Sequence, residues 1–265
     1  MAAGPDLVLP SLPNLRDIGG HPTADGRRVR TGLLFRSTDL SHLDAEGAAA
    51  LERLGIRIVY DLRTEGERAG SPDRLPAGAD LVVLDVLRDA AGMTPADMQR
   101  VLATPEAAEQ ALGGGRAASF FVDAYREFVE LPSAREAYGR LFRELAEPRG
   151  RPALVHCTTG KDRTGWAAAA LLTLLGVPDD AVMAEYLRSG PVMAGLFAPH
   201  VAAFAALGGD PELLRPLVEV RKEYLGAALE VVRGTYGTLE RYVEDGLGVD
   251  AATRHALRQA FVEPG

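Results

Sequence analysis

The chain is 265 residues long and 47% hydrophobic, with 37 acidic against 29 basic side chains and a net charge of −8. That length supports one well-buried domain, and an acidic balance without a basic stripe argues against nucleic acid as a partner. A single cysteine excludes an intrachain disulfide and a cysteine-ligated metal cluster. No uninterrupted apolar stretch of about 18 residues is read, so no stable membrane insertion is expected. The start "MAAGPDLVLP" lacks a charged leader and apolar core, so a cytoplasmic location is the default expectation, with signal-less secretion as the alternative.

In chain order, Asp25-Gly26 marks a hairpin turn, with Gly32 to Phe35 opening a strand beyond it. Asp44 is placed to cap a helix running to Leu54, which Gly55 ends. Ile56 to Leu62 and Leu81 to Leu84 read as buried strands. Residues 63–80 between them, rich in Gly, Pro and charge, read as a loop. Thr94-Pro95 and Thr104-Pro105 both have the cap-then-proline form of helix starts, and Gly113 to Gly115 is a break. Ser133 with Glu136 predicts a capping box on the helix leading to the next strand, Pro152 to Val155. Trp166 to Leu175 reads as a helix closed by Gly176 and Pro178. From Pro178 onward the pattern is helical, interrupted at Gly190-Pro191, Gly208-Gly209 and Gly246, and there are no internal repeats. An α/β first part followed by helices predicts one compact domain with a helical extension.

The chemistry concentrates in His156-Cys157-Thr158-Thr159-Gly160-Lys161-Asp162-Arg163-Thr164-Gly165, between that strand and that helix. A tight glycine-containing loop there turns backbone N–H groups inward and adds the positive end of the helix, which suits an anion. A thiol in such a place is driven towards thiolate. Cys157 could attack phosphorus and hold a phosphocysteine, splitting one hard displacement into two. The planar guanidinium of Arg163 can take two phosphate oxygens at once, which a lysine ammonium does not do. The amides of residues 158–163 would cradle the remaining oxygens, and Thr164 could donate its hydroxyl to the sulfur. Gly160 permits a left-handed backbone or a close approach, and His156 is read as ordering the loop. Lys161 and Lys222 are the only lysines in an arginine-biased chain, which marks Lys161 for a lysine-specific role. A lone cysteine beside an apolar strand is normally structural; strand, glycine, cations, threonine and helix in this order favour catalysis.

"HCTTGKDRTG" resembles the signature of cysteine-dependent phosphatases, and its Gly-Lys-Asp-Arg-Thr-Gly form is similar to the PtpB-type bacterial tyrosine phosphatases. "NLRDIGG" (Asn14 to Gly20), "GLLFRSTDLSHL" (Gly32 to Leu43), "DLRTEGE" (Asp61 to Glu67), "AEYLRS" (Ala184 to Ser189), "EYL" (Glu223 to Leu225) and "TYGTLERYV" (Thr235 to Val243) also look like that family. Residues 85–115 carry no such motif. The resemblance implies an α/β fold with a central, mostly parallel sheet flanked by helices, and a helical C-terminal extension forming a lid. It implies metal-free hydrolysis without a cofactor, acting on phosphotyrosine proteins, with tolerance of phosphoserine, phosphothreonine and phosphoinositides. The whole is expected to form a single phosphatase domain over residues 1–265, with a mobile insertion at 85–115 and a helical lid at about 178–245. The candidate cover over the loop is Gly190 to Leu225. Nothing in the sequence sets the oligomeric state.

The expected catalytic set is Cys157, Arg163 and Asp162, with Thr158, Thr159, Gly160, Lys161 and Thr164 binding the phosphate and no metal ligands. Ester hydrolysis needs an acid for the leaving oxygen and a base for water. The chain's only tryptophan, Trp166, lies inside a helix, so no Trp-Pro-Asp loop supplies that group. Asp162 is the favoured acid, as proposed for the resembling family; Asp85 and Asp89 are rivals, and pairing with an arginine is the bland alternative. Arg36, Asp61 and Arg63 at strand ends, and Arg16 and Asp17, are read as ligand groups or as a structural ion-pair network. Tyr125 and Arg126 could line the pocket, with core or surface placement on their helix as the default. His21, His42, His200 and His255 lack metal-ligand spacing. A phosphatase, a phospho-binding pseudo-phosphatase and a sulfur transferase compete; Arg163 followed by Thr164-Gly165 fits phosphate chemistry best.

Overall fold

The protein is described by a computed structural model over residues 9–91 and 101–265. The helix start expected at Thr94-Pro95 lies outside these residues, as does part of the insertion expected at 85–115.

The strands are β1 (Arg16–Asp17), β2 (Arg28–Val29), β3 (Leu34–Ser37), β4 (Ile58–Asp61), β5 (Asp80–Val83), β6 (Ala153–His156) and β7 (Val262–Glu263). A five-stranded sheet runs in the order β1-β3-β6-β4-β5; it is parallel except for β1, and β2 pairs with β7 separately. The helices are α1 (Ala45–Arg53), α2 (Glu65–Gly70), α3 (Pro105–Leu112), α4 (Arg116–Glu130), α5 (Pro132–Ala146) and α6 (Arg163–Leu174). They continue as α7 (Asp179–Leu187), α8 (Ser189–Ala206), α9 (Arg215–Val218), α10 (Lys222–Tyr236), α11 (Leu239–Arg241) and α12 (Ala251–Phe261).

The central strands are apolar on both faces because helices cover both. Phe35, Leu154 and Val59 stand in register across β3, β6 and β4, and pack with Leu12, Leu40, Leu43 and Leu51 on the α1 side. Their neighbours Leu34, Ala153, Val155 and Tyr60 face the larger core around α5 and α6. Each such Leu, Val or Phe side chain contributes roughly 1.5–3 kcal/mol by leaving water. Helix α6 is buried from Arg163 through Leu172, which explains why its Ala/Leu sequence shows no polar face. Sheet and α6 together fix the loop 157–162, which leaves the C-terminal end of β6 at the middle of the sheet.

Asp44 caps α1, Thr104 caps α3, and Gly55 ends the first helix at φ 73° as the sequence predicts. Several expectations are corrected. Residues 63–80 are not all loop: Thr64 and Glu67 form a reciprocal capping box that starts α2 despite the glycines. Ser133 and Glu136 form no capping box. Ser133 lies inside α5, its amide donates to Asp89 Oδ2 (2.8 Å) and its hydroxyl to the Val86 carbonyl, while Glu136 pairs with Arg88. Gly190-Pro191 does not break the chain; it sits in the first turn of α8, where proline has no amide to lose. The charge-free stretch within Asp179–Ala206 does contain an 18-residue window with mean hydropathy 1.2, 17% of it buried, long and apolar enough to cross a membrane by length and composition. Val192, Leu196, Phe197, Val201 and Phe204, set among alanines, give it that value. Phe204 packs here on Ala108 and Leu214.

Candidate active site

The anion loop is built by pulling carbonyls outward. Arg36 Nη2, from the central strand β3, donates to Gly160 O (2.6 Å), and Asn14 Nδ2 donates to Thr159 O (3.3 Å) and Gly160 O (3.2 Å). The Asp39 amide donates to Thr158 O (3.1 Å). In a trans peptide the N–H points opposite to the C=O, so the amides of Thr159, Gly160 and Lys161 face the other way, into the loop. None of these amides donates to another protein group among the described residues. Gly160 carries both constraints expected of it: φ is +64°, and a Cβ there would lie 2.0 Å from Ser37 O.

Arg163 is aimed by Glu67, a residue to which the sequence alone assigns no role. Its Nη1 and Nη2 donate to Glu67 Oε2 and Oε1, both at 2.7 Å, and Thr158 Oγ1 donates to Glu67 Oε1. This end-on fork leaves the Nε side of the guanidinium without a protein partner among the described residues. Burial opposes ionisation of Glu67, but Arg163 and the bonds from Thr158 and Thr64 outweigh it and bring its carboxyl down to about 2. The capping box of α2, which uses the same carboxylate, was the available signal for Glu67.

Beneath the loop His156 is fully buried, with Nδ1 3.1 Å from Cys157 O and Nε2 3.2 Å from Asp73 Oδ2. Burial disfavours the charged ring, yet Asp73 and Asp61 raise its pKa above the ordinary histidine value. Asp61, Asp73 and His156 lie close enough to suggest a cation site, but Arg63 Nη2 already sits 2.8 Å from Asp61 and 2.7 Å from Asp73. These residues form the structural ion-pair network. A second one joins Arg16 and Arg36 to the buried Glu185, at 2.8 and 3.4 Å, and Asp17 accepts from the amides of Gly19 and Gly32.

Cys157 is a free, buried thiol at the loop's start. Thr164 Oγ1 is buried and makes no hydrogen bond, so the expected hydroxyl–sulfur bond is not formed in this conformation. Lys161 turns away from the loop interior. Its Nζ donates to Leu217 O (2.6 Å) and Glu219 O (3.2 Å), stands over the Phe121 ring at 4.6 Å, and lies 3.6 Å from Asp162 Oδ2. Burial lowers its pKa, and Asp162 opposes that shift. Asp162 is not paired with an arginine; Tyr125 Oη donates to its Oδ1 at 3.0 Å. Of the rivals, Asp85 accepts from the amides of Glu65 and Leu87, and Asp89 from that of Ser133. Neither lines the cavity in front of the loop, whereas Asp162 does. Arg126 pairs with Asp123 on the surface.

That cavity, about 800 Å³, has Thr158, Thr159, Lys161, Asp162, Arg163 and Glu67 at its floor. Phe120, Phe121 and Phe128 of α4 form one wall; Phe197 and Val201 of α8 with Leu214, Leu217 and Val218 form another. Part of the stretch 190–225 thus faces the Cys loop.

A phosphate-sized nest of inward amides between a buried thiol and a fixed arginine is a cysteine-phosphatase type of site. The chain belongs to the tyrosine phosphatase family, whose profile matches residues 7–263. It is 36% identical to the triple specificity protein phosphatase PtpB of Mycobacterium tuberculosis, over 94% of this chain and 96% of that one. A Cupriavidus necator protein provisionally named a tyrosine-protein phosphatase is also 36% identical, over 93% of this chain and 86% of its own. The tyrosine-protein phosphatase of Nostoc commune is 28% identical over 92% of this chain and 79% of its own.

Proposed function

We propose that the protein hydrolyses phosphate monoesters through a phosphocysteine on Cys157, with phosphotyrosine in proteins as the main substrate. The inward amides of the loop beside Arg163 carry this reading, because they supply donors where three equatorial phosphate oxygens gather charge in the transition state. Arg163, held end-on by Glu67, offers its Nε side to two of those oxygens. In the first step Cys157 sulfur bonds phosphorus as the P–O ester bond breaks, and Asp162 gives its proton to the leaving oxygen. In the second, Asp162 takes a proton from water as that oxygen bonds phosphorus and the P–S bond breaks. The phenylalanine walls suit an aryl group; phosphoserine and phosphothreonine rank as secondary substrates in this reading, and the triple specificity in the name of PtpB supports a range wider than one. The Lys161 ammonium is already engaged by the carbonyls of Leu217 and Glu219 on the opposite wall, which ranks phosphoinositides below phosphotyrosine in this reading.

Turnover of para-nitrophenyl phosphate in excess chelator tests the reaction. Cys157→Ser is expected to abolish turnover while still binding vanadate, and substantial residual turnover ends the phosphocysteine mechanism. Asp162→Asn is expected to slow hydrolysis by on the order of 10²–10⁴-fold for poor leaving groups.

A further inference from the structure

Asp162 is hydrogen-bonded at Oδ1 and faces the Lys161 ammonium, 3.6 Å away, at Oδ2. Tyr125 Oη lies 3.0 Å from its Oδ1, and Tyr186 Oη lies 2.7 Å from Tyr125 Oη. Both phenols are buried, at 0% and 1% exposure, so water does not compete for these bonds. A phenol has one proton to give and lone pairs to receive. With Asp162 ionised, the proton directions follow: Tyr186 donates to Tyr125, and Tyr125 donates to Oδ1. Burial, reinforced by the Asp162 charge, pushes the Tyr125 phenol far above its ordinary value, so it remains an O–H donor at any working pH.

The two tyrosines are themselves fixed. Tyr186 follows Glu185 on α7, and Glu185 is bound to Arg16 and Arg36, the second of which holds Gly160 O of the loop. The Tyr186 ring lies against Gly165, where an added Cβ would stand 3.1 Å from ring carbons. Tyr125 comes from the opposite side, on α4, its ring 5.0 Å from Phe128 and 5.9 Å from Tyr224. Two helices and the loop therefore meet at a single carboxylate oxygen.

We propose that Tyr125, backed by Tyr186, is a positioning residue for Asp162 that occupies Oδ1 and leaves Oδ2 as the oxygen that carries and transfers the proton. Oδ2 is the oxygen turned to Lys161 at the cavity floor. When Asp162 is protonated, Tyr125 still donates to Oδ1, so the acid proton sits on Oδ2 and goes to the leaving oxygen as the P–O bond breaks. The same oxygen takes the proton from water in the second step, and Tyr125 keeps its own proton throughout. This rests on the reading of Asp162 as the acid, and the test separates the two.

kcat/KM, which reports the first chemical step, is measured on aryl phosphates from phenyl to para-nitrophenyl leaving groups. The full-length wild type is compared with Tyr125→Phe, Tyr186→Phe, Asp162→Asn and the Tyr125→Phe/Asp162→Asn pair. Tyr125→Phe is expected to lose on the order of tenfold on phenyl phosphate, the scale of one hydrogen bond to a charged group, and far less on para-nitrophenyl phosphate. Tyr186→Phe shows the same slope with a smaller loss, and serves as the test if Tyr125→Phe does not fold. In the Asp162→Asn background Tyr125→Phe adds nothing. Losses equal across leaving groups, or additive with Asp162→Asn, overturn the proposal in favour of a packing role. If Asp162→Asn itself shows no dependence on the leaving group, the acid is misassigned and the proposal falls with it.

Discussion

Replacing Glu67 by glutamine removes the charge that aims Arg163 while keeping the shape of the side chain. Glu67 is 7% exposed and meets both Nη atoms of Arg163 at 2.7 Å. Its carboxyl falls from 4.5 to about 2: burial pushes it up, and Arg163 with Thr158 and Thr64 pulls it further down. A displacement of that size is worth roughly 3 kcal/mol between the two protonation states. It matches the low end of the roughly 3–5 kcal/mol lost when one partner of a buried pair is removed. Urea unfolding of Glu67→Gln at pH 7 is therefore expected to show about 3 kcal/mol less stability than wild type. The folded value lies below the unfolded one, so this stability is present above about pH 4.5 and is lost as pH falls towards 2. The gap between wild type and variant must accordingly narrow on acidification, to about half by pH 3. A deficit under about 1 kcal/mol at pH 7, or a gap that stays constant from pH 7 to pH 3, refutes the assignment of Glu67 as the anchor of Arg163.

Gly160→Ala places a Cβ 2.0 Å from Ser37 O at a φ of +64°; the variant is expected to lose vanadate binding, and wild-type affinity by calorimetry would contradict the loop geometry. Lys161→Met removes the bonds to Leu217 and Glu219; faster amide exchange at residues 214–219 and faster inactivation by peroxide are expected, and no change in either would show that Lys161 does not hold that wall closed.

The strand-loop-helix frame and the residue types at 157–164 were legible in the sequence, because local propensity and the chemistry of one contiguous motif set them. So were the caps at Asp44 and Thr104, which act within a single turn. The α2 cap was also local, but glycine and proline content masked it. What the order of residues alone did not determine lies in contacts between segments far apart in the chain. Glu67 reaches Arg163, and Tyr125 and Tyr186 meet at Asp162, only because β4, α4 and α7 are brought around β6. Tyr125 lies on the apolar face with Phe121 and Phe128, so its spacing reads as core, and a phenol's hydrogen-bond partner has no local signature. Lys161 is the sharpest case. The sequence marks it as a cation of the anion loop, yet in the fold it turns to the carbonyls of Leu217 and Glu219. A flexible four-carbon stem can serve either position, and only the packing of the 214–219 segment against α4 decides between them.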